Sequence, residues 1–540
     1  MTTPIPPTLL ALPHGLTVSG VTMWAVRLAN ALAARGGRVA LVSHTEATSH
    51  ARLDIPLCPG VEHVRLDGVA PMDHANGDLT PYLPAYVDAI DRLAAGAGPV
   101  IVSPNLVGDC YGVCAAIASS RPDLVRVVGW AHNDTEYDCC VLEHYEPLLA
   151  AFVGVSEHIA ANLARRLPTR AGAVHRIPYG VEVPSAPPTR EPLDGRPLRL
   201  LYTGRIDHYQ KRIGVLPEIS RALDARGVAH ELLLLGDGPA TGEIDAILAD
   251  LPHCRREPGV GPGGVRKRLA WADCFVLASR FEGLSISMLE ALAAGCCPVV
   301  AKVESGASEA IDDGRTGLLV PTGEDDDATL GDIFAHRIAE LGATPDRLDA
   351  MQRAAWEHAR ERYSVDAHAE RVIELFRAVA ARPGRAWPAD RPCGFTSSSN
   401  ALSDATVPTD AGVRLRRMLE QIVRERGPAA RVALWGAGRH TIALAAELAR
   451  PAAEVVCILD DDAKAHGERL WGLPIVGVAS LAGFGVTDVV ISSWMHQSTM
   501  WKKRAPVEAT GATVRRLYPD AQHAAGLRLR PAAHAATSPA

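Results

Sequence analysis

The chain has 540 residues, too many for one hydrophobic core, and a chain of this length is expected to form about three domains. Its 55 Lys and Arg against 62 Asp and Glu give a formal net charge of −7, which argues against a nucleic-acid partner. The sequence shows no secretory leader, and no apolar run reaches the roughly 18 residues of a membrane-spanning helix. Its 11 cysteines lack zinc-ligand spacing, so we expect reduced thiols in a cytoplasmic protein.

Apolar runs alternate with amphipathic stretches in the first part of the chain. An amphipathic helix is predicted over residues 22–34, and glycines at 36 and 37 end it. Strands that alternate with helices imply a parallel, doubly wound sheet, so we predict a first Rossmann-like domain over 1–190. A Pro-rich hinge is expected near 184–197. The predicted strands of this domain cover residues 8–13, 39–43, 99–103, 126–130 and 151–155.

The same alternation restarts after the hinge and predicts a second Rossmann-like domain over 191–382. Its predicted strands are residues 198–203, 231–236 and 274–279. One long helix is predicted over 346–382.

A third α/β pattern follows a stretch without periodicity. Residues 383–411 are rich in Pro, Gly, Ser and Asn, which predicts a mobile linker. A smaller Rossmann-like domain is predicted over 412–527, followed by a disordered tail at 528–540. This domain is predicted to contain a helix over residues 413–426 and strands at 431–435 and 454–459.

Two glutamates separated by seven residues follow the predicted strand at 274–279. Glu282 is expected in the loop at the strand's carboxyl end, and Glu290 about one turn inside the next helix. Ligands of open α/β sheets bind at this edge, and a helix start offers N–H groups to a diphosphate. Ser287 and Glu290 also fit a capping box, which would explain Glu290 structurally. The sequence suggests no structural partner for Glu282, so we favour a binding site.

Two cations occupy the loop after the first strand of the second domain. Arg205 and Lys211 would lie at the same sheet edge as Glu282, where a fixed guanidinium fork and a mobile ammonium suit phosphate oxygens. A solvated basic turn is the alternative. Three weaker signals accompany them. They are the small-residue loop around Gly20, which is either a phosphate loop or a plain turn, the tight turn at Gly238, and the lone His132 after a strand of the first domain.

These residues together resemble the retaining GT-B glycosyltransferases of the family-4 type. The resemblance rests on Arg205 with Lys211, on the Gly236–Gly238 turn, on Glu282 with Glu290, and on the run from Gly295 to Val300. It covers roughly residues 8–380 and is most specific over 200–320. Two positions depart from the family pattern, because Ser19 and Ala307 stand where a glycine is usual.

The resemblance implies an α/β fold with two facing Rossmann-like domains and a nucleotide-sugar donor, which is a substrate rather than a cofactor. It implies that Arg205 and Lys211 bind the donor diphosphate, Glu290 the ribose and Glu282 the sugar. The backbone N–H groups of Gly283, Leu284 and Ser285 would also face the donor. The implied catalytic residues are Glu282, His132, Arg205 and Lys211, and the implied donor-binding residues also include Gly20, Gly238, Val260, Gly283, Leu284, Ser285 and Glu290.

The implied reaction is sugar transfer with retention of anomeric configuration and without a metal. Asp325–Asp327 and Asp460–Asp462 are charge runs more typical of a solvated surface than of a metal site. A nucleotide-sugar phosphorylase or epimerase, or a non-catalytic nucleotide-sugar sensor, would share the fold. The acceptor (a glycan, a lipid-linked sugar or a small molecule), the reaction path, peripheral membrane contact and homo-oligomerisation stay open.

The third domain contains a motif of its own. Gly436 and Gly438 follow a strand and open a predicted helix, Thr441 replaces the third small residue, and Asp460 ends the next strand. This pattern is typical of a dinucleotide-binding turn. A nucleotide- or sugar-binding module and a structural or oligomerising module are equally compatible with it.

Overall fold

The computed structural model divides into two compact units, residues 1–402 and 403–540, which are described separately. No helix in the part of the chain that the structure describes is both long and apolar enough to cross a membrane. The described residues are 4–17, 19–44, 56–69, 72, 75, 77–208, 210–304, 306–323, 326–395, 411–437, 440, 441, 444, 451–461, 466, 467, 469, 470, 472–493 and 497–518.

Seven parallel strands form the first half of unit one. Their order across the sheet is β3-β2-β1-β4-β5-β6-β7, with β4 central and, like its neighbour β1, entirely buried. The strands are β1 (Thr8–Leu12), β2 (Val39–Ser43), β3 (Val61–Arg65), β4 (Val100–Pro104), β5 (Val125–Ala131), β6 (Leu149–Gly154) and β7 (Val174–Arg176). The helices are α1 (Gly20–Ala34), α2 (Leu83–Ala94), α3 (Gly108–Ser120), α4 (Glu136–His144) and α5 (Glu157–Arg166), with a 3₁₀ turn at Pro168–Ala173.

The second half of unit one is a six-stranded parallel sheet in the order β10-β9-β8-β11-β12-β13. Both halves are Rossmann-like, so the predicted doubly wound α/β class is confirmed. The strands are β8 (Leu198–Thr203), β9 (His230–Leu235), β10 (Cys254–Glu257), β11 (Cys274–Leu277), β12 (Cys297–Ala301) and β13 (Leu318–Val320). The helices are α6 (Val215–Ala225), α7 (Thr241–Leu248), α8 (Pro262–Trp271), α9 (Ile286–Ala293), α10 (Ala307–Ala310), α11 (Asp327–Gly342), α12 (Pro345–Arg362) and α13 (Val365–Ala380).

The single long helix predicted over 346–382 is wrong, because the helix is interrupted between α12 and α13. The Ser364 side chain caps α13 by accepting a hydrogen bond from the Ala367 N–H. Val181 bonds the backbone on both sides of this interruption: its N–H donates to the Tyr363 carbonyl at 2.8 Å, and its carbonyl accepts from the Val365 N–H at 3.0 Å. Apolar periodicity continues through the break, so the pattern alone does not show it.

The start of the predicted linker packs on the first half of unit one. We call residues 383–395 the docked segment. Its Phe395 N–H donates to Asp109 Oδ1 at 2.8 Å, and the Tyr145 hydroxyl donates to the Cys393 carbonyl at 2.8 Å. The Trp387 and Phe395 rings lie 5.3 and 5.9 Å from the Tyr145 ring. An aromatic cluster with paired backbone groups therefore holds this segment in place.

Unit two is a smaller α/β unit with a mixed sheet. Its strand order is β16-β17-β15-β14-β18-β19, in which β16 and β17 pair antiparallel and the other neighbours pair parallel. The strands are β14 (Arg431–Trp435), β15 (Glu454–Leu459), β16 (Arg469–Leu470), β17 (Leu473–Val476), β18 (Asp488–Ile491) and β19 (Thr513–Arg516). The helices are α14 (Ala411–Arg426), α15 (Gln497–Lys502) and α16 (Ala505–Glu508), with a 3₁₀ turn at Val478–Phe484. The predicted tail lies outside the described residues.

The docked segment generates a stability prediction. Phe395 is 3% exposed, so Phe395→Ala should destabilise unit one by about 3 to 5 kcal/mol through loss of buried apolar surface and the cavity left behind. The measurement is the thermal unfolding midpoint, with the exposed Asp390→Ala in the same segment as the control. Equal midpoints for the two variants would show that the aromatic cluster does not hold the segment.

Candidate functional site

Glu282 lies in the loop between β11 and α9 and forms a mostly buried ion pair. Its Oε1 is 2.5 Å from Lys211 Nζ and accepts a hydrogen bond from Ser279 Oγ at 2.7 Å. The Glu282 and Lys211 side chains are 9% and 15% exposed. The two residues meet because β8 and β11 are neighbours in the sheet, so the loops after both strands emerge at one edge. The structure therefore gives Glu282 two partners that the sequence does not indicate.

The loop after β8 holds Arg205 through a buried carboxylate. Asp207 is 7% exposed, lies 3.1 Å from Arg205 Nε and accepts from the Gln210 N–H at 2.9 Å. The Gln210 carbonyl in turn accepts from the Arg280 N–H at 2.8 Å, which ties this loop to the one that carries Glu282. Arg205 is 56% exposed, so its guanidinium stands at the solvent side of the same edge.

The predicted tight turn after β9 packs directly on the Arg205 loop. A Cβ atom on Gly236, whose φ is +145°, would lie 2.0 Å from the Gly204 carbonyl oxygen. A Cβ on Gly238 would lie 2.3 Å from the Ile206 carbonyl oxygen. Only glycine fits such close backbone approaches, so the two glycines fix how near this turn comes to the cations. Val260 lies half-buried in the loop between β10 and α8.

Glu290 does not cap its helix. The N-cap of α9 is Ser285, whose hydroxyl accepts from the Met288 N–H at 3.4 Å, so the alternative of a capping box starting at Ser287 is wrong. Glu290 Oε1 instead lies 2.5 Å from Nη2 of Arg27, a residue of α1 in the first half. An ion pair therefore joins the two halves beside the candidate site.

The backbone between Glu282 and Ser285 lies between the first half and the start of α10. A Cβ on Gly283 would lie 2.1 Å from the His132 carbonyl oxygen. A Cβ on Gly306, whose φ is +71°, would lie 2.4 Å from the Gly283 carbonyl oxygen. A Cβ on Gly20, the first residue of α1, would lie 3.6 Å from the Ile286 side chain, an ordinary van der Waals distance. Leu284 and Ser285 are buried in this contact, which positions the loop from both sides.

His132 is buried, and both of its ring nitrogens have protein partners. Asn105 donates its amide hydrogens to the carbonyls of Ala11 and Ser103, so its Oδ1 is left to accept from His132 Nε2 at 2.9 Å. The Tyr179 hydroxyl then donates to His132 Nδ1 at 2.7 Å. These contacts select the tautomer with the proton on Nε2. Burial lowers the pKa of His132 to about 3, so the ring is neutral near pH 7.

A buried carboxyl supports the turn after His132. Asp138 in α4 accepts from the Asn133 N–H at 3.0 Å. Burial raises the pKa of Asp138 to about 6, against the opposing effect of hydrogen bonds from Asn133 and Thr135. Asp138 thus holds the backbone on which Gly283 rests.

A small cavity of about 10 Å³, enough for one water molecule, lies beside the Glu282 loop. Leu277, Val300 and Ala301 at the carboxyl ends of β11 and β12 line it, together with Ser279 and Glu282. The walls of this cavity are mostly apolar with a few polar groups, and the ligand crevice expected at this strand edge stays a prediction.

Four residues that support these contacts are not singled out by sequence reasoning. They are Arg27, Asp138, Asp207 and Ser279. Ser279, a polar residue two positions after a buried strand, and Arg27, a lone cation in an apolar helix stretch, carry signals that a wider search could use. Asp138 and Asp207 carry no such sequence signal, because nothing in the sequence distinguishes them from aspartates in exposed turns.

The motif of unit two is described only in part, because Gly438 lies outside the described residues. Gly436 has a φ of +112°, and the Ala437 N–H donates to Asp460 Oδ2 at 2.6 Å. The Thr441 hydroxyl donates to the Gly436 carbonyl at 2.5 Å. Asp460 and Thr441 therefore stabilise the turn after β14 by bonding its backbone, and a ligand role for them stays a prediction.

The burial of His132 generates a prediction about acid stability. Its folded pKa of about 3 is below the ordinary 6.5, so unfolding takes up a proton and stability falls as pH drops from 6.5 towards 3. The thermal midpoint of His132→Gln should therefore decline less steeply than that of the wild type between pH 6.5 and 4. The exposed His253→Gln serves as the control and should keep the wild-type slope.

The close approach at Gly283 generates a second prediction for this site. Gly283→Ala should lower stability by about 1 to 3 kcal/mol, because the backbone of His132 cannot move aside at low cost. Gly263→Ala in α8 is the matched control, since a Cβ there meets nothing within 4 Å. The thermal midpoints of both variants provide the measurement, and a Gly283→Ala midpoint at or above that of Gly263→Ala would contradict the contact.

Comparison with known proteins relates the second half of unit one to a family of glycosyltransferases. Residues 197–338 match the family model described as Glycosyl transferases group 1. The putative colanic acid biosynthesis glycosyltransferase WcaL of Salmonella typhimurium is 30% identical over 195 residues, 34% of this chain and 46% of that protein. The GDP-mannose-dependent alpha-(1-6)-phosphatidylinositol monomannoside mannosyltransferase of Mycobacterium tuberculosis is 31% identical over 175 residues, 31% of this chain and 43% of that protein. The chain thus spans less than half the length of these curated relatives.

Solved structures with the same architecture cover most of this chain. Sucrose-phosphate synthase from Thermosynechococcus elongatus superposes with a TM-score of 0.55 at 19% identity, over 70% of this chain and 99% of that one. Anabaena HepE in complex with UDP and glucose superposes with a TM-score of 0.51 at 13% identity, over 69% of this chain and 100% of that one. The chain therefore has the GT-B fold and carries a glycosyl transferases group 1 domain at residues 197–338.

Proposed function

We propose that the protein transfers a sugar from a nucleotide-sugar donor to an acceptor, with retention of anomeric configuration and without a metal. The observation that carries this proposal is the mostly buried Lys211–Glu282 pair at the sheet edge, directly before the start of α9. Relatives and neighbours support the donor class. One relative is named as GDP-mannose-dependent, and HepE was solved with UDP and with UDP-glucose.

Arg205 and Lys211 would bind the donor diphosphate. Departure of the nucleoside diphosphate builds negative charge on its terminal phosphate, and two cations near a helix N-terminus stabilise such charge. The N–H groups of Gly283, Leu284 and Ser285 lead into that helix start and would face the same oxygens. These groups supply positive electrostatic potential without a metal ion.

The ion pair leaves Lys211 able to donate hydrogen bonds to the donor diphosphate as well as to Glu282. An ammonium group has three N–H donors, and Glu282 accepts one of them at 2.5 Å. Glu282 would use its remaining capacity as an acceptor for hydroxyl groups of the donor sugar. Glu290 would accept from the ribose hydroxyls, and Val260 would lie against the base.

His132 would contact the transferred sugar in its neutral form. Because both ring nitrogens already have partners, this contact requires the exchange of one hydrogen bond, to Asn105 or to Tyr179, for one to a sugar hydroxyl. A ring with a pKa of about 3 is not protonated near pH 7, so it acts as a hydrogen-bonding group rather than as an acid.

The cellular setting is also a proposal. The 11 cysteines are free thiols, which supports a reducing compartment such as the cytoplasm. The acceptor would approach from the first half, on the side of Gly20 and His132. The acceptor's chemical class stays open among glycans, lipid-linked sugars and small molecules.

Loss of the proposed donor contacts should weaken binding without unfolding the protein. Lys211→Ala and Glu290→Ala should each weaken binding of the donor by roughly tenfold or more, because charged hydrogen-bond partners are removed. Isothermal titration with UDP-glucose and GDP-mannose measures the affinity, and the exposed Lys267→Ala is the control. Unchanged donor affinity in both variants would argue against the proposed site.

Product analysis separates the proposed reaction from its alternatives. NMR of the product with an acceptor panel should show a glycoside with the donor's anomeric configuration. An altered or phosphorolysed donor in the absence of acceptor would indicate an epimerase or phosphorylase. Donor binding with neither transfer nor hydrolysis would indicate a sensor.

A further inference from the structure

Arg27 is a buried cation that reaches from the first half to the second. It belongs to α1 and is 7% exposed, between the buried residues Val26 and Leu28. Its Nη2 lies 2.5 Å from Glu290 Oε1, although the two residues are 263 positions apart in the sequence. The side chains of the pair are 6% and 19% exposed, so the contact is largely shielded from water.

Contacts of helix α1 on the N-terminal side of Arg27 hold the helix in place. One turn earlier, Trp24 donates from Nε1 to His368 Nε2 at 3.0 Å, and its ring lies 4.9 Å from the His132 ring. The first residue of the helix, Gly20, lies near the start of α9, since a Cβ on it would be 3.6 Å from the Ile286 side chain. Arg27 is thus presented to Glu290 by a rigid element, which is what precise orientation of a carboxylate requires.

The ion pair does not satisfy the whole guanidinium group. Arg27 Nε and Nη1 are buried and have no hydrogen-bond partner among the described residues. A buried charge with unused donors recovers only part of its desolvation cost. The pair therefore contributes little net stability by itself, and its effect on the orientation of the Glu290 carboxylate is the more informative property.

We propose that Arg27 is a positioning residue that orients Glu290 towards the nucleotide. This inference rests on the proposed function, in which Glu290 contacts the ribose hydroxyls. A carboxylate accepts on both oxygens, so Arg27 on Oε1 aims the group while the ribose uses the rest. The donor contact in the second half is then completed by a residue of the first half.

The test compares Arg27→Gln, Arg27→Lys and Glu290→Gln with the wild type. The probes are ADP, CDP, GDP, TDP and UDP, with dissociation constants measured by isothermal titration. Arg27→Gln should weaken the best of these ligands by roughly tenfold, a size common for coupled contacts. Arg27→Lys should recover part of the loss because it restores the charge. In the Glu290→Gln background, Arg27→Gln should have little further effect.

The matched control is Arg35→Gln. Arg35 lies at the carboxyl end of the same helix and also pairs across to another element, Asp366 of α13, but the Asp366 side chain is 81% exposed. This variant should keep wild-type affinity.

The outcomes separate failure of this inference from failure of the proposed function. Weaker binding in Glu290→Gln with unchanged binding in Arg27→Gln and Arg27→Lys would overturn the role of Arg27 and leave the proposed function standing. A lowered thermal midpoint in Arg27→Gln without a change in affinity would assign Arg27 a purely structural role. If none of the five nucleotides binds the wild type, the proposed function fails and the inference fails with it. If Arg27→Gln does not fold, the affinity of Arg27→Lys decides.

Discussion

The contact between the Glu282 loop and the backbone of His132 is the constraint on which the candidate site depends. Glycine is the only residue type that allows this approach at position 283, because any Cβ on Gly283 would overlap the His132 carbonyl. The same loop carries Glu282 and caps α9 through Ser285, so its position sets both the carboxylate and the helix start. Asp138 holds the opposing turn in place. A short stretch of backbone therefore connects the packing of the two halves with the chemistry between them.

Charge pairing is the second organising feature. Lys211 neutralises Glu282, Arg27 neutralises Glu290, and Asp207 neutralises Arg205. Lys211, Glu282 and Arg27 are largely buried, and burying such charges singly would be costly, so they lie in pairs. Under the proposed function, a nucleotide sugar would bring both anionic phosphates and hydroxyl donors, so it would exchange with these pairs without leaving a charge alone. We therefore expect the site to favour a ligand with mixed polarity over a simple anion.

Much of the fold follows from local pattern. The buried strands Val39–Ser43, Leu198–Thr203 and Arg431–Trp435 coincide with their predicted bounds, because continuous apolar runs bounded by turn residues have few alternatives. The edge strands β3, β7 and β10 are missed, since they are only half-buried and mix polar with apolar residues. The break between α12 and α13 is missed for a different reason: a backbone pairing with Val181 enforces it.

By itself, the sequence determined the parallel α/β class, the two large halves, and the sheet edge that carries Arg205, Lys211 and Glu282. These follow because carboxyl ends of parallel strands share an edge, whatever the details of packing. Only the tertiary structure decided which cation pairs with which carboxylate, that Arg27 serves Glu290 from the other half, and that the docked segment lies on the first half. Those contacts join residues far apart in the chain, and their geometry depends on how whole elements pack rather than on any local pattern.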